Sequence, residues 1–255
     1  MTNAFEQHGI DHLSASSLNL YCAEPAMWVQ QYLFGFRSPP SASMARGIAA
    51  EAGIEHGLFN PDLTWDECIK LALEAFDLRM ALNGDPNREK ERAAVPGIVE
   101  QGLGHLRLYG MPEKPESGRQ HRIEVRADTL PVPIIGYLDF EFPQHGIVLD
   151  LKTQLRLQSS ISPSHARQGA IYVRARGNNV DMRFAYATPK KIAVYPLERA
   201  AERWAEVLNV AHRLERFLSL SKDRDELAGI VAPNYDSFYW NEASARQRGL
   251  QLYGF

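Results

Sequence analysis

The chain has 255 residues, 45% of them hydrophobic and 23% charged, and a formal net charge of −3. This is an ordinary globular composition, large enough for one generous domain or two small ones, and a single domain is favoured. The near-balanced charge neither selects nor forbids a nucleic-acid partner, because a basic groove can coexist with an acidic remainder. Cys22 and Cys68 lie far apart without metal-ligand spacing, which argues for buried thiols rather than a zinc site or a disulfide framework. The polar opening Met1-Thr2-Asn3-Ala4-Phe5-Glu6-Gln7-His8 lacks the apolar run of a signal peptide, and no stretch approaches the length of a membrane span. A cytoplasmic protein with no membrane partner is expected.

In chain order, Ser14 reads as the N-cap of a helix over 15–22, and Glu24-Pro25 opens a second helix reaching residue 34. Leu18, Tyr21, Trp28, Tyr32 and Leu33 suit a packed helical pair. Residues 38–43 read as a linker, followed by a helix over 44–58 that carries Glu51 and Glu55 one turn apart. Thr64-Trp65-Asp66-Glu67 matches a capping box for a helix that ends before Asn83-Gly84-Asp85-Pro86. A further helical stretch over 88–109 is expected to be interrupted at Pro96-Gly97. Strands begin near His121, and Asp128-Thr129-Leu130-Pro131 turns into the strand that leads to Asp139. Ser162-Pro163 starts a helix through 176, residues 182–187 and 192–195 read as a strand or hairpin, and 198–220 is a long amphipathic helix. Tyr235, Phe238, Tyr239, Trp240 and Tyr253 are expected to pack against the fold or another subunit, the alternative being stacking on unpaired bases. Helices, three strands, helix, strand, helix is the order of an α/β domain.

The segment of richest chemistry is 136–153. Pro143 and Gly146 mark a turn, and an even loop sets Asp139 directly opposite Asp150 in an antiparallel hairpin. Strand alternation then puts Asp139, Glu141, Asp150 and Lys152 on one face, and Leu138, Phe140, Phe142, Ile147, Leu149 and Leu151 on the other, core-forming face. Opposed carboxylates repel unless a cation lies between them, and hard divalent cations take carboxylate oxygens. A metal beside a lysine suits phosphoester hydrolysis. Asp-X-Lys is nevertheless a trivial tripeptide, and a solvated acidic hairpin needs no metal.

Gly136-Tyr137-Leu138-Asp139, then Val148-Leu149-Asp150-Leu151-Lys152-Thr153, then Gln168-Gly169-Ala170-Ile171-Tyr172 together resemble the PD-(D/E)XK nucleases, specifically their RecB-like branch. That branch includes helicase-linked nucleases, CRISPR adaptation nucleases and phage recombination exonucleases. The early segment around Leu13-Ser14-Ala15-Ser16-Ser17-Leu18 and Cys22-Ala23-Glu24-Pro25 is similar to the family's opening, so the resemblance covers roughly residues 12–195. It implies a restriction-endonuclease-like αβββαβ core with a mixed central sheet. A single domain would then divide into a mainly helical part over 1–118 carrying Glu51, a catalytic sheet and helix over 119–195, and a C-terminal helix and tail over 196–255. Many relatives have histidine where Arg46-Gly47-Ile48-Ala49-Ala50-Glu51 supplies Glu51, and glutamate there is similar to lambda-type phage exonucleases. Two cysteines cannot form the four-cysteine iron–sulfur site of some relatives, and no Walker-type phosphate loop is present.

The resemblance implies that Asp139, Asp150, the Leu151 main-chain carbonyl and Glu51 hold Mg²⁺ or Mn²⁺. Lys152 then positions the attacking water and stabilises the transition state, Gln168 orients Lys152 or the water, and Tyr172 packs beside the site or touches DNA. Arg46, Arg167, Arg174 and Arg176, with Lys190-Lys191, are candidates for the DNA backbone, although for each alone a solvated surface charge is the favoured reading. His56 and His165 lack partners at ligand spacing and read as structural. The expected activity is a metal-dependent deoxyribonuclease, an exonuclease at DNA ends in recombination, repair or phage replication. Its partners would be DNA and a recombinase, single-strand-binding protein or helicase, with homo-oligomerisation open. A structure-specific or nicking endonuclease is the alternative enzyme, and a non-catalytic nuclease-fold scaffold is the alternative of another class.

Overall fold

The computed structural model describes residues 3–116 and 120–254. The expected boundary at 118/119 and the first two residues of the amino-terminal segment lie outside them.

The first half is helical: α1 (Ala4–Gln7), α2 (Ala15–Ala23), α3 (Pro25–Tyr32), α4 (Ala42–Phe59), α5 (Trp65–Met80) and α6 (Arg88–Leu106). Ser14 caps α2 through the Ser17 N–H, and Thr64 with Glu67 closes a reciprocal capping box on α5, as their spacing predicts. The linker ends earlier than expected, because Ser41 caps α4 two residues before the expected start. Helix α6 runs unbroken through Pro96, contrary to the expected interruption. Proline inside a helix costs about 3 kcal/mol, but Val95, Ile98, Val99, Leu103 and Leu106 are fully buried, and each such side chain returns roughly 1.5–3 kcal/mol. Burial against α4 and α5 therefore outweighs the break.

The strands are β1 (His121–Val125), β2 (Ile134–Leu138), β3 (Phe140–Phe142) and β4 (Ile147–Thr153), followed by α7 (Pro163–Ala175), β5 (Asp181–Ala187), β6 (Ile192–Pro196), α8 (Ala200–Leu218), α9 (Arg224–Ala228) and α10 (Ala243–Tyr253). They form a two-stranded antiparallel β1–β2 sheet and a mixed four-stranded sheet ordered β3-β4-β5-β6, in which only β4–β5 is parallel. The fold is thus α/β with a mixed sheet. The β4–β5 pairing spans seven rungs, from Ile147 opposite Asp181 to Thr153 opposite Ala187, and α7 supplies the crossover that parallel strands require.

Both faces of the four-stranded sheet are covered. Phe140, Phe142, Ile147, Leu149 and Leu151 pack with α4, α5 and α6, while Val148, Phe184 and Tyr186 pack with residues of α2, α3, α7 and α8. Leu138 joins the second cluster, not the first as alternation predicts. The reason is a bend at Asp139, where the chain leaves the β1–β2 sheet and enters the β3–β4 hairpin. The acidic face is likewise no open surface: α7 lies over it, and Asp150 is 1% exposed. The aromatic tail packs inward at Trp240, which is fully buried, and at Tyr253, whose hydroxyl donates to the Ala26 carbonyl at 2.6 Å. Phe238 stays exposed.

Candidate active site

The β3–β4 ladder pairs Phe140 with Leu149, Glu141 with Val148 and Phe142 with Ile147 around the loop 143–146. Continuing that register places Asp139 across from Asp150. The β1–β2 ladder pairs His121 with Leu138, and its continuation places Gln120 across from the same Asp139. Asp139 is therefore flanked from both sides. Its Oδ2 accepts from the Leu151 main-chain N–H at 2.9 Å, and its Oδ1 accepts from Gln120 Nε2 at 3.0 Å.

Helix α4 delivers Glu51. Small residues line its packed side, and a Cβ on Gly53 would lie 2.8 Å from the Cys68 carbonyl oxygen, so α4 and α5 approach to a distance only glycine permits. At its N-terminal end α4 is tied to the end of β4, where Arg46 donates to the Thr153 carbonyl at 3.0 Å. One turn later Glu51 reaches the cluster, and its Oε1 accepts from the same Gln120 nitrogen at 2.7 Å.

Helix α7 delivers the remaining groups. A Cβ on Gly169 would stand 2.9 Å from both Leu197 and Phe184, so the helix lies close on β5 and Gln168 reaches the strand beside it. Gln168 Nε2 donates to Asp150 Oδ2 at 3.0 Å and to the Tyr172 hydroxyl at 2.6 Å. Gln168 thus holds Asp150, the carboxylate paired with Lys152. Tyr172 is buried with its ring 3.1 Å from where a Gly136 Cβ would be. That glycine, three residues before Asp139, makes room for the ring. Of the two roles the resemblance implies for Tyr172, packing beside the site is the one its burial suits.

Lys152 Nζ lies 2.7 Å from Asp150 Oδ1, and its side chain keeps 22% exposure against 1% for Asp150. Among the described residues that ammonium is the partner of Asp150 Oδ1, which has no hydrogen bond of good geometry from any of them. Burial raises the Asp139 carboxyl well above the usual carboxylate range, and Asp150 and Glu51 raise it further. Burial also raises Asp150 despite Lys152, and raises Glu51 despite the Gln120 bond. For Lys152, burial acts downward but the Asp150 and Asp139 charges outweigh it, so its ammonium is held above the ordinary lysine value. Asp139, raised by both of the other carboxylates, and Glu51, raised by Asp150, stand with Asp150's buried, underpartnered oxygen as a set short of positive charge.

An all-oxygen donor set of this kind suits Mg²⁺ or Mn²⁺. Among the described residues, however, no three acidic, histidine or cysteine side chains already stand gathered as a metal site. The Gln120 amide stands between Glu51 and Asp139.

The remaining candidates separate by their partners. Arg46, expected at the DNA backbone, is buried in an ion pair with the equally buried Glu91, which removes it from the list of phosphate contacts. Arg167 donates to Asn19 Oδ1 at 2.8 Å, and Arg176 forms a two-pronged pair with Glu141 at 2.9 and 2.7 Å. Glu141 is accordingly on the α7 side as alternation predicts, but is engaged by that arginine. Arg174, Lys190 and Lys191 are exposed. His165 stacks on Phe184 and shares a 2.8 Å hydrogen bond with the Tyr186 hydroxyl; burial, with the Lys152 charge, lowers its pKa to about 4. Local sequence pattern does not single out Gln120. The signal that finds it is the β1–β2 register, which sets residue 120 opposite 139.

No family model matches the chain, and no curated protein matches it. Among solved structures it is similar to the one described as the crystal structure of SSO0001, with 14% identity, 73% of this chain and 82% of that chain covered, and a TM-score of 0.34. A likeness that weak carries no argument.

Proposed function

We propose that this chain is a metal-dependent deoxyribonuclease that hydrolyses phosphodiester bonds at DNA ends. The observation that carries the reading is the meeting of Glu51, Asp139 and Asp150 with Lys152 in one partly buried cluster, braced by Gln168 and Tyr172. These are the groups that the resemblance to the RecB-like nucleases names, drawn from helix α4, the Asp139 bend, β4 and α7.

Glu51, Asp139, Asp150 and the Leu151 main-chain carbonyl would hold Mg²⁺ or Mn²⁺. Such an ion supplies, when bound, charge stabilisation at the phosphoryl oxygens and a more acidic water. The protein's own groups divide the remaining work. The Leu151 N–H fixes the rotamer of Asp139, and Gln168, backed by the buried Tyr172 hydroxyl, fixes Asp150. Lys152 is the cationic donor with solvent access, so its ammonium is placed to meet charge developing on a phosphoryl oxygen. Of the expected backbone contacts, Arg174, Lys190 and Lys191 are exposed and would be free to meet DNA phosphates.

Incubation with linear duplex, linear single-stranded and closed circular DNA, in Mg²⁺, Mn²⁺ or chelator, tests the proposal. Cleavage of linear substrates only, abolished by chelator, is expected, whereas cleavage of closed circles would reassign the activity to an endonuclease. Asp150→Asn should abolish cleavage and leave DNA binding intact or tighter, because a ligand and a charge repelling phosphate are both lost. Full activity in this variant, or in chelator, would reject metal-assisted hydrolysis.

A further inference from the structure

Gln120 places one amide nitrogen between two carboxylates: 2.7 Å from Glu51 Oε1 and 3.0 Å from Asp139 Oδ1. The two hydrogens of that –NH₂ group are both used, so the amide acts as a neutral bridge where the charges call for a cation. Asp139 Oδ2 already accepts from the Leu151 main-chain N–H, and β4 cannot shift that N–H without breaking its pairing with β5. A cation bridging Asp139 Oδ1 and Glu51 Oε1 would enter where the Gln120 amide lies.

We propose that Gln120 is a built-in competitor for the cation, a side-chain plug that closes the cation-free cluster and leaves when Mg²⁺ or Mn²⁺ enters. The proposal rests on the nuclease reading above and adds a regulatory element to that site. Gln120 is suited to the movement because it lies one residue before β1, whose first rung is His121 with Leu138, so displacing it breaks no ladder hydrogen bond. Only its two side-chain bonds need to be exchanged. In the cation-free state the plug makes good part of the charge deficit, and the free-energy difference between closed and loaded states sets the cation concentration at which the enzyme turns on.

The opposite role has the opposite consequence. A residue that merely orients metal ligands supports affinity, and its loss weakens binding 10–100-fold. Loss of a competitor strengthens binding, because the free state forfeits two charge-assisted hydrogen bonds that the loaded state lacks anyway.

Calorimetric titration of the full-length chain with Mn²⁺, wild type against Gln120→Ala, separates these outcomes. Gln120→Ala should bind Mn²⁺ on the order of ten-fold more tightly, with the gain in the equilibrium constant and no need of DNA. Equal or weaker binding in a variant whose circular dichroism matches wild type would overturn the competitor role while leaving the metal site standing. No Mn²⁺ binding by either protein would overturn both the metal reading and the plug. A measurement on the wild-type protein guards against a misfolded variant. The Gln120 side-chain amide signal in a ¹⁵N-resolved spectrum, identified by its amide-proton contacts to Asp139 and Glu51 side-chain protons, should move to the position of a solvent-exposed amide as Mg²⁺ is added. If that signal keeps its hydrogen-bonded position at saturating Mg²⁺, the plug does not leave and the proposal fails.

Discussion

Lys152 is the residue whose partners most constrain its role. Its ammonium sits 2.7 Å from an otherwise underpartnered Asp150 oxygen, close enough to compete with a cation for that oxygen. Lys152→Ala should therefore keep or slightly raise Mn²⁺ affinity while cleavage falls by a factor on the order of 10²–10³, the range for deletion of one transition-state electrostatic donor. Titration calorimetry and a nuclease assay on the same preparation decide it. If metal binding collapses in step with activity, Lys152 holds the cluster together; if activity survives, it is only the salt-bridge partner of Asp150. Arg46 shows how residue type alone misleads. Arginine beside an acidic helix reads as a phosphate contact, yet its guanidinium turns inward to Glu91 and Thr153 and ties α4 to β4. Breaking a buried pair by removing one partner typically costs about 3–5 kcal/mol, so loss of function on mutating Arg46 would report folding, not DNA binding.

At the scale of elements, the site depends on how closely helices approach strands. Gly53 is the position where this is most exacting, because an added methyl would meet the Cys68 carbonyl oxygen at 2.8 Å and the Ala72 methyl at 2.9 Å. Backbone cannot yield as a flexible side chain can. Gly53→Ala should lower stability by about 1–3 kcal/mol, the usual range for overpacking, read as a lower urea midpoint with unchanged slope. Glu51 lies on the same helix two residues earlier, so the displacement should also reduce cleavage beyond what the unfolded fraction explains. A variant as stable and active as wild type would show that α4 packs less tightly than described. Helix α7 follows the same logic through Gly169, which lets Gln168 reach Asp150.

Across the whole molecule, the clustered carboxylates tie stability to pH and to divalent cations. Glu51, Asp139 and Asp150 all have their proton affinity raised by folding, so what they contribute to stability is complete below their ordinary values and is lost as pH rises through the raised ones. In chelator, the wild-type thermal midpoint should decline from weakly acid to neutral pH more steeply than that of Glu51→Gln, which removes one charge and keeps an acceptor for Gln120. Equal slopes would mean that Glu51 does not share the charge of the cluster. Adding Mg²⁺ should raise the wild-type midpoint, since a ligand present at 100 times its dissociation constant adds about 2.7 kcal/mol to the native state. The gain should grow as pH rises through the raised values, because the carboxylates then ionise and repel one another.

Elements governed by neighbours in the chain were legible before the fold was known. The Ser14 cap, the Thr64–Glu67 capping box and the hairpin register that opposes Asp139 to Asp150 each follow from contacts within a few residues or one turn. So does the placing of Gln168 and Tyr172 four residues apart on one helix, where their hydrogen bond forms. What local pattern could not supply was the outcome of competition between distant segments. Burial against α4 and α5 carried α6 through Pro96, a bend at Asp139 sent Leu138 into the opposite core, and Glu91 drew Arg46 inward. Gln120 belongs with these: its own surroundings in the chain are unremarkable, and only the joining of two hairpins at Asp139 brings its amide to the acidic cluster. Sequence determined which groups could do chemistry, because residue type and strand or helix period are local properties. Tertiary structure decided which of them meet and which are already engaged, because burial and charge pairing depend on segments that approach only when the chain is folded.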